Sequence, residues 1–193
     1  MAVQSLSHAN PAKPYLVPVQ RRYAPMFAFV LLVTASALAS LAFACATPFA
    51  AFAVVVAAML PVRPALLVVA AAWLVNQGIG FGLLHYPIDR NTILWGLAIG
   101  AAALIATVVA TWILALVPRA AGAISLALSL IGAYAAYEIV LLAVTPFLGG
   151  AGSFTTTIVA RIGILSALWL LGLVAVCEIS HLLTSAAARR LSS

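Results

Sequence analysis

Charged residues are scarce in this sequence. They make up 6% of its 193 residues, whereas hydrophobic residues make up 66%. A water-soluble globular domain carries about 25% charged residues, so that class is excluded. The length allows about five to seven membrane-spanning helices of roughly 20 residues each and leaves no room for a separate soluble domain. The composition therefore predicts a polytopic membrane protein in contact with the lipid bilayer.

Acidic residues and cysteines are scarcer still, with three of the former and two of the latter. Glu178 and His181 have the Glu-x-x-His spacing of di-iron bundles, but such a site needs about four carboxylates and two histidines. Cys45 and Cys177 have no metal-binding spacing, and the topology below places them at opposite depths, which argues against a disulfide. We expect no metal site, and the sequence indicates no particular cofactor. With no paired carboxylates, histidine box or nucleophile constellation, a membrane enzyme is a minor alternative.

The net charge of +6 does not indicate nucleic-acid binding, because the basic residues lie at the ends of the apolar segments. Positions of this kind are explained by membrane topology and lipid headgroups. The apolar sequence from Pro25 to Leu60 would be about 54 Å long as one helix, against a hydrocarbon core of about 30 Å. It must therefore break, and Pro48 is the best breaker. The sequence predicts helices at 25–45, 48–60, 65–85, 92–117, 121–144 and from 154 to the residue before Arg189, the last capped by Thr155 to Thr157.

Six crossings place most of the basic residues on one side of the membrane, which the positive-inside rule identifies as the cytoplasm. These residues are Lys13, Arg21, Arg22, Arg63, Arg119, Arg189 and Arg190. Arg90, beside Asp89, falls outside. We therefore predict an all-α integral membrane protein of the bacterial-type inner membrane, a six-transmembrane-helix bundle with both termini cytoplasmic. Residues 1–24 form a solvated tail, 25–185 the membrane domain and 186–193 a basic tail.

Polar residues inside the predicted spans collect at one depth. The amides of Asn76 and Gln77 interrupt the apolar run from Trp73 to Arg90. Counting about 1.5 Å of helix rise per residue places Glu138 and Arg161 at a similar level in the outer half of the membrane. A lone charge in the membrane costs about 2.5–3.5 kcal/mol, so Glu138 and Arg161 are expected to face the interior and to pair.

Two interpretations of these polar residues remain open. They are a structural pair with interhelical hydrogen bonds, or they line an outward-facing pocket for a small polar or charged molecule. In the second case the substrate-binding residues are Trp73, Asn76, Gln77, Tyr134, Tyr137, Glu138 and Arg161, with His85, Tyr86, Asp89 and Trp95 at the rim. Tyr86 and Trp95 also fit an interfacial aromatic belt. Trp73 and Gln77 share one helix face, and so do Tyr134 and Glu138.

The layout resembles the S-components, the substrate-binding membrane subunits of energy-coupling factor transporters. The resemblance rests on chain length, six helices, cytoplasmic ends, absence of an ATPase motif, outer polar residues and the Ala35-Ser-Ala-Leu-Ala39 pattern. It implies an outward cavity for a vitamin-like or metal-related substrate, with Ala35 and Ala39 forming a face that contacts a coupling subunit, which works with ATPases. The small residues of helix 1 also suit packing within the chain. Alternatives are a non-catalytic accessory or scaffold subunit of a larger membrane complex, an integral membrane enzyme, and a proton-coupled carrier that uses Glu138.

Overall fold

The computed structural model describes residues 14–43, 47–117 and 122–191, which form an all-helical bundle. No strand occurs in these three ranges. The helices are α1 (Ala24–Phe43), α2 (Phe49–Met59), α3 (Val62–Gly82), α4 (Arg90–Leu116), α5 (Gly122–Leu148) and α6 (Thr156–Leu191), with 3-10 turns at Arg21–Tyr23 and Ala151–Phe154. Five are long and apolar enough to cross a membrane, whereas α2 has only eleven residues. The protein is therefore a multi-pass membrane protein, but the predicted six crossings include one helix that is too short to span alone.

Prolines explain where the early helices begin. The break at Pro48 was predicted correctly, and α2 begins one residue later than predicted, at Phe49. Helix α3 begins at Val62, three residues earlier than predicted. Pro64 then lies in the first turn, where its missing N–H has no intrahelical partner to lose.

Helix α5 continues to Leu148 through Pro146, four residues beyond its predicted end. Thr145 Oγ1 donates to the carbonyl of Leu141 at 3.0 Å, and a side-chain bond of this kind helps a transmembrane helix to tolerate proline. The helix ends instead at Gly149 and Gly150, whose φ angles of 78° and 91° are in the left-handed region that favours glycine.

The two described ends of the chain lie together at one end of the bundle. His181 Nδ1 on α6 is 2.8 Å from the carbonyl oxygen of Val17, and Thr184 Oγ1 donates to the carbonyl of Pro18 at 3.4 Å. We call this the proximal end; it also holds the C-terminus of α2 and the start of α3. The opposite, distal end holds the connections 83–89 and 149–155.

Helix α2 is the centre of the bundle. It packs against α1, α3, α4, α5 and α6, and ten of its eleven residues are buried. Phe52 packs edge-on against Phe49 and against Trp169 of α6, with ring centroids 5.8 and 6.1 Å apart. At about 16 Å, α2 spans roughly half of a hydrocarbon core, so its ends must be satisfied by the protein rather than by water.

The residues before α1 close the proximal end of α2. The backbone N–H groups of Tyr15 and Leu16 both donate to the carbonyl of Ala58, at 2.9 and 3.1 Å, which satisfies a carbonyl in the last turn of α2. The Tyr15 hydroxyl lies 2.7 Å from the carbonyl oxygens of both Leu114 and Val117 on α4. We call residues 14–20 the N-terminal strap.

The prediction of a solvated tail does not hold for the strap, where Leu16 is only 5% exposed. At the other end, α6 continues through Arg189 and Arg190 into the predicted basic tail. The predictions for residues 1–13, Cys45, Arg119 and 192–193 concern residues outside the described ranges.

The small-residue face of α1 is used inside the chain. Ala35 and Ala39 are 4% and 0% exposed, and the neighbouring Ser36 Oγ donates to the carbonyl of Ala72 on α3 at 2.7 Å. Small side chains allow the two backbones to approach closely. Ala35 and Ala39 therefore do not form the predicted face for a partner subunit.

Truncating the centre of α2 should destabilise the protein. Phe52 is 0% exposed, so Phe52→Ala leaves a cavity between α2 and α6. Such a truncation costs 3–5 kcal/mol in water-soluble proteins; about 2–3 kcal/mol is expected here, because lipid replaces water around the separated helices. Reversible unfolding in mixed micelles measures this loss in the free energy of unfolding. The control is Phe147→Ala at a side chain 85% exposed, and equal losses in the two variants would contradict the central role of α2.

Candidate functional site

A cluster of hydrogen-bonded amides and hydroxyls surrounds the entry to α2. Asn76 Nδ2 donates to Ser40 Oγ at 2.8 Å and to Thr47 Oγ1 at 2.9 Å, and Gln77 Nε2 donates to Asn76 Oδ1 at 3.0 Å. Asn76 thus uses both of its N–H groups and its carbonyl oxygen. We call Ser40, Thr47, Asn76 and Gln77 the amide cluster; it joins α1, the start of α2 and α3.

Trp73 and Gln77 share one face of α3, as their four-residue spacing predicted, and that face meets α4. The indole Nε1 of Trp73 donates to the carbonyl of Gly96 at 2.9 Å. The Trp73 ring covers Gly100, where an added Cβ would lie 2.7 Å from the indole, and Gln77 Oε1 lies against Gly96. These two glycines were not among the predicted site residues, although their Gly-x-x-x-Gly spacing is a signal for close helix packing.

Tyr134 and Glu138 also share a face, on α5. The Tyr134 hydroxyl donates to the carbonyl of Val159 on α6 at 2.6 Å, and its ring lies against Gly163. The half-buried carboxyl group of Glu138 lies beside that hydroxyl. We call Tyr134 and Glu138 the acid–tyrosine pair, which is one link between α5 and α6.

Arg161 does not form the predicted ion pair with Glu138. Its side chain is exposed, and no ion pair joins these two described residues. Val159 and Gly163 mark the face of α6 that meets Tyr134. Arg161 is two residues from each of them, which is about 200° around a helix, so it faces away from α5.

The first turn of α2 lies between the amide cluster and α5. Thr47 is bonded to Asn76, and the ring of Phe49 lies 6.5 Å from that of Tyr137, which is 8% exposed. No hydrogen bond or ring contact in the described ranges joins Asn76 or Gln77 directly to the acid–tyrosine pair. The predicted site residues are thus divided into two groups, on opposite sides of the entry to α2.

The predicted rim residues lie in or beside the distal connections. Tyr86 packs over Gly80 and edge-on to Phe81, with ring centroids 6.4 Å apart. Trp95 lies against Gly150, where an added Cβ would be 3.4 Å from its ring. His85 is exposed and has a φ angle of 55°. Tyr86 and Trp95 therefore fasten the connections 83–89 and 149–155 to the bundle.

Other titratable residues are dispersed. Glu178 is exposed, while Cys177 is 1% exposed, with its sulfur 3.9 Å from that of Met59. Among the described residues, no three His, Cys, Asp or Glu side chains are grouped so that they could hold a metal ion.

The chain matches no known protein-family model, no curated protein and no solved structure.

Asp89 caps the start of α4, and this cap should titrate. The backbone N–H of Thr92 donates to Asp89 Oδ1 at 2.8 Å and holds the pKa of that carboxyl below its ordinary value. Because the folded pKa is lowered, the stabilisation is present above the unfolded value of about 3.9 and is lost as the pH falls through the folded pKa. Thermal midpoints of the wild type and Asp89→Asn, whose cap does not titrate, should converge with acidification. A difference that is constant with pH would contradict this account.

The glycines of α4 give a second test of the packing. Gly100→Ala places a methyl group against the hydrogen-bonded Trp73 indole and should lower the free energy of unfolding by about 1–3 kcal/mol. Gly78→Ala is the control: nothing lies within 4 Å of an added Cβ there, so alanine should raise helix stability by up to about 1 kcal/mol. Thermal unfolding shows whether each variant is less or more stable than the wild type. If the Gly100→Ala protein were as stable as the Gly78→Ala protein, the Trp73 ring would not be packed tightly against Gly100.

Proposed function

We propose that this protein is the substrate-binding subunit of an uptake transporter in a bacterial-type inner membrane, and that it binds a small polar molecule in the distal half of the bundle. One observation carries the proposal. The central helix α2 is about half as long as a membrane span, and its N-terminal end is surrounded by polar and aromatic side chains. Interrupted helices that end at membrane depth are a common way for transporters to build a site.

The lengths of the surrounding helices define where the site would be. Asn76 is about 21 Å along α3, which is about 31 Å long, and Thr47 is bonded to it, so α2 begins about two thirds of the way towards the distal end. Beyond that level α3, α4, α5 and α6 continue, whereas none of the described residues forms a central helix there. The proposed site lies between these four helices.

The side chains nearest that level supply suitable chemistry. Gln77 donates one hydrogen bond within the amide cluster and retains a second N–H group for a ligand. Tyr137 offers an aromatic wall, and Glu138 offers a carboxyl group for a ligand's hydrogen-bond donors or positive charge. A mainly apolar pocket with a few convergent polar groups is typical of small-molecule sites. We place Arg161 outside the site, because it faces away from α5.

Basic residues orient the proposed site towards the exterior. Arg21, Arg22, Arg63, Arg189 and Arg190 belong to the proximal end, and Arg90 to the distal end. The positive-inside rule then makes the proximal end cytoplasmic, with both chain ends on that side. The distal half faces outward, as uptake requires. A coupling subunit and ATPases would complete such a transporter.

An accessory subunit of a larger membrane complex is the second candidate. The observation that favours it is the saturation of Asn76, whose polar atoms are all bonded within the chain. Hydrogen bonds of this kind between membrane helices contribute about 0.6–2 kcal/mol each to stability without any ligand. This candidate predicts no retained small molecule.

Native mass spectrometry of the gently purified protein, followed by ligand titration of variants, tests the proposal. We expect a retained small molecule in the wild type. Glu138→Gln should weaken its binding by about 10- to 100-fold, the range for a lost hydrogen bond to a charged group. The control is Glu178→Gln, which removes the same charge from an exposed position near the proximal end of α6.

Two results would contradict the proposal. One is the absence of a small molecule from every preparation, and the other is a Glu138→Gln protein that loses thermal stability but binds with unchanged affinity. Copurification with other membrane subunits and no small molecule would favour the accessory role.

A further inference from the structure

A cavity of about 510 Å³ lies at the proximal end, away from the site proposed above. One wall is the N-terminal strap with the start of α1. The other wall is formed by the last turn of α2, the Leu60–Pro61 connection and the last turns of α4. Its volume is within the range of about 300–1,000 Å³ that is typical of ligand pockets.

The walls of this cavity are almost entirely apolar. They include Leu16, Met59, Leu60 and Leu114 together with several alanines and prolines. The strap is held in place by the hydrogen bonds from Tyr15 to Ala58 and to the end of α4, so the cavity is bounded by anchored segments. An apolar molecule or an alkyl chain suits such walls.

Arg21 is the one charged residue among the described residues that line the cavity. Its side chain is exposed and makes no hydrogen bond or ion pair with the described part of the chain. The adjacent Arg22 differs: its guanidinium lies 4.5 Å above the ring of Tyr23, and it does not line the cavity. The described residues of the cavity thus combine apolar walls with one cation that is available to an anion.

We propose that this cavity binds one anionic phospholipid from the membrane leaflet at the proximal end, with an acyl chain against the apolar walls and the lipid phosphate at Arg21. The chemistry of the ligand follows from these two features. An alkyl chain matches the apolar walls, and a phosphate monoanion matches the positive charge of Arg21. The phosphate belongs to a membrane lipid, because the cavity lies at the end of the bundle where basic residues collect. Basic pockets between helices at such a boundary bind anionic headgroups.

A lipid bound here contacts the strap on one side and α2 and α4 on the other. Because these segments are together only in the folded protein, binding stabilises the fold by mass action. The lipid site is independent of the proposed substrate site at the distal end, and either can exist without the other.

The test uses the full chain purified in a non-ionic detergent. Native mass spectrometry and thermal unfolding are followed during titration with phosphatidylglycerol, with phosphatidylcholine of the same acyl chains, and with inorganic phosphate. We expect one phosphatidylglycerol to bind and to raise the thermal midpoint, with much weaker effects of phosphatidylcholine and of inorganic phosphate.

Two pairs of variants locate the binding. Arg21→Gln should weaken phosphatidylglycerol binding about fivefold, the effect of one basic side chain near an anionic lipid, whereas Arg22→Gln should change it little. Ala115→Phe, which places a ring in the cavity, should reduce binding without a change of charge. Ala101→Phe is its control at an exposed position of α4 outside the lining.

Four results would overturn the proposal. Equal losses in Arg21→Gln and Arg22→Gln would show a general surface-charge effect. Equal binding of phosphatidylcholine, whose phosphate is balanced by choline, would show that the net negative charge of the lipid is not recognised. Stabilisation by inorganic phosphate equal to that by phosphatidylglycerol would replace the lipid with a free anion. Undiminished binding to Ala115→Phe would place the lipid elsewhere.

Discussion

The structure depends on the enclosure of a helix that is too short for the membrane it occupies. A helix of about 16 Å cannot bring both ends to water, and an unsatisfied backbone group in hydrocarbon costs several kcal/mol. The protein meets this constraint by surrounding α2 with its five longer helices. At the entry to α2, the N–H groups of Ala51 and Phe52 donate to the carbonyl of Pro48. At the exit, the strap donates two hydrogen bonds to the carbonyl of Ala58. The strap thus satisfies a backbone group at one end of α2, whereas the amide cluster fixes the position of the other end through the Thr47 side chain.

The helices and the positions of residues along them could be predicted from the sequence, but the neighbour that each helix face meets could not. Pro48 and Thr155 gave the start of α2 and the cap of α6, where Ile158 N donates to Thr155 Oγ1 at 3.4 Å. Depth follows from counting residues at about 1.5 Å each. Faces need a contrast between polar and apolar sides, and in a membrane bundle both sides are apolar. Arg161 was therefore predicted at the level of Glu138 along the helices, but on the wrong side of α6.

The same lack of contrast between helix sides explains the wrong prediction for α1, whereas α5 differs for a separate reason. Ala35 and Ala39 form a small-residue face that fits a partner or a neighbouring helix equally well, and only the fold shows that α3 covers it. Pro146 was expected to end α5, but the hydrogen bond from Thr145 to the preceding turn accompanies its continuation. The spacing of Gly96 and Gly100 indicated close packing, but only the fold shows that Gln77 and Trp73 are the side chains that lie against them. For the proposed site, the sequence supplied the polar residues and the fold supplied their division around the entry to α2.

The strap has a consequence for the order in which the protein is completed. It is synthesised before all six helices, yet its hydrogen-bond partners include Leu114 and Val117 at the end of α4 and His181 and Thr184 on α6. Domains begin to fold from the N-terminus during synthesis, but these contacts cannot form until α6 has been inserted. The strap thus precedes every helix in synthesis but is among the last segments to reach its final position, and its docking marks a finished bundle.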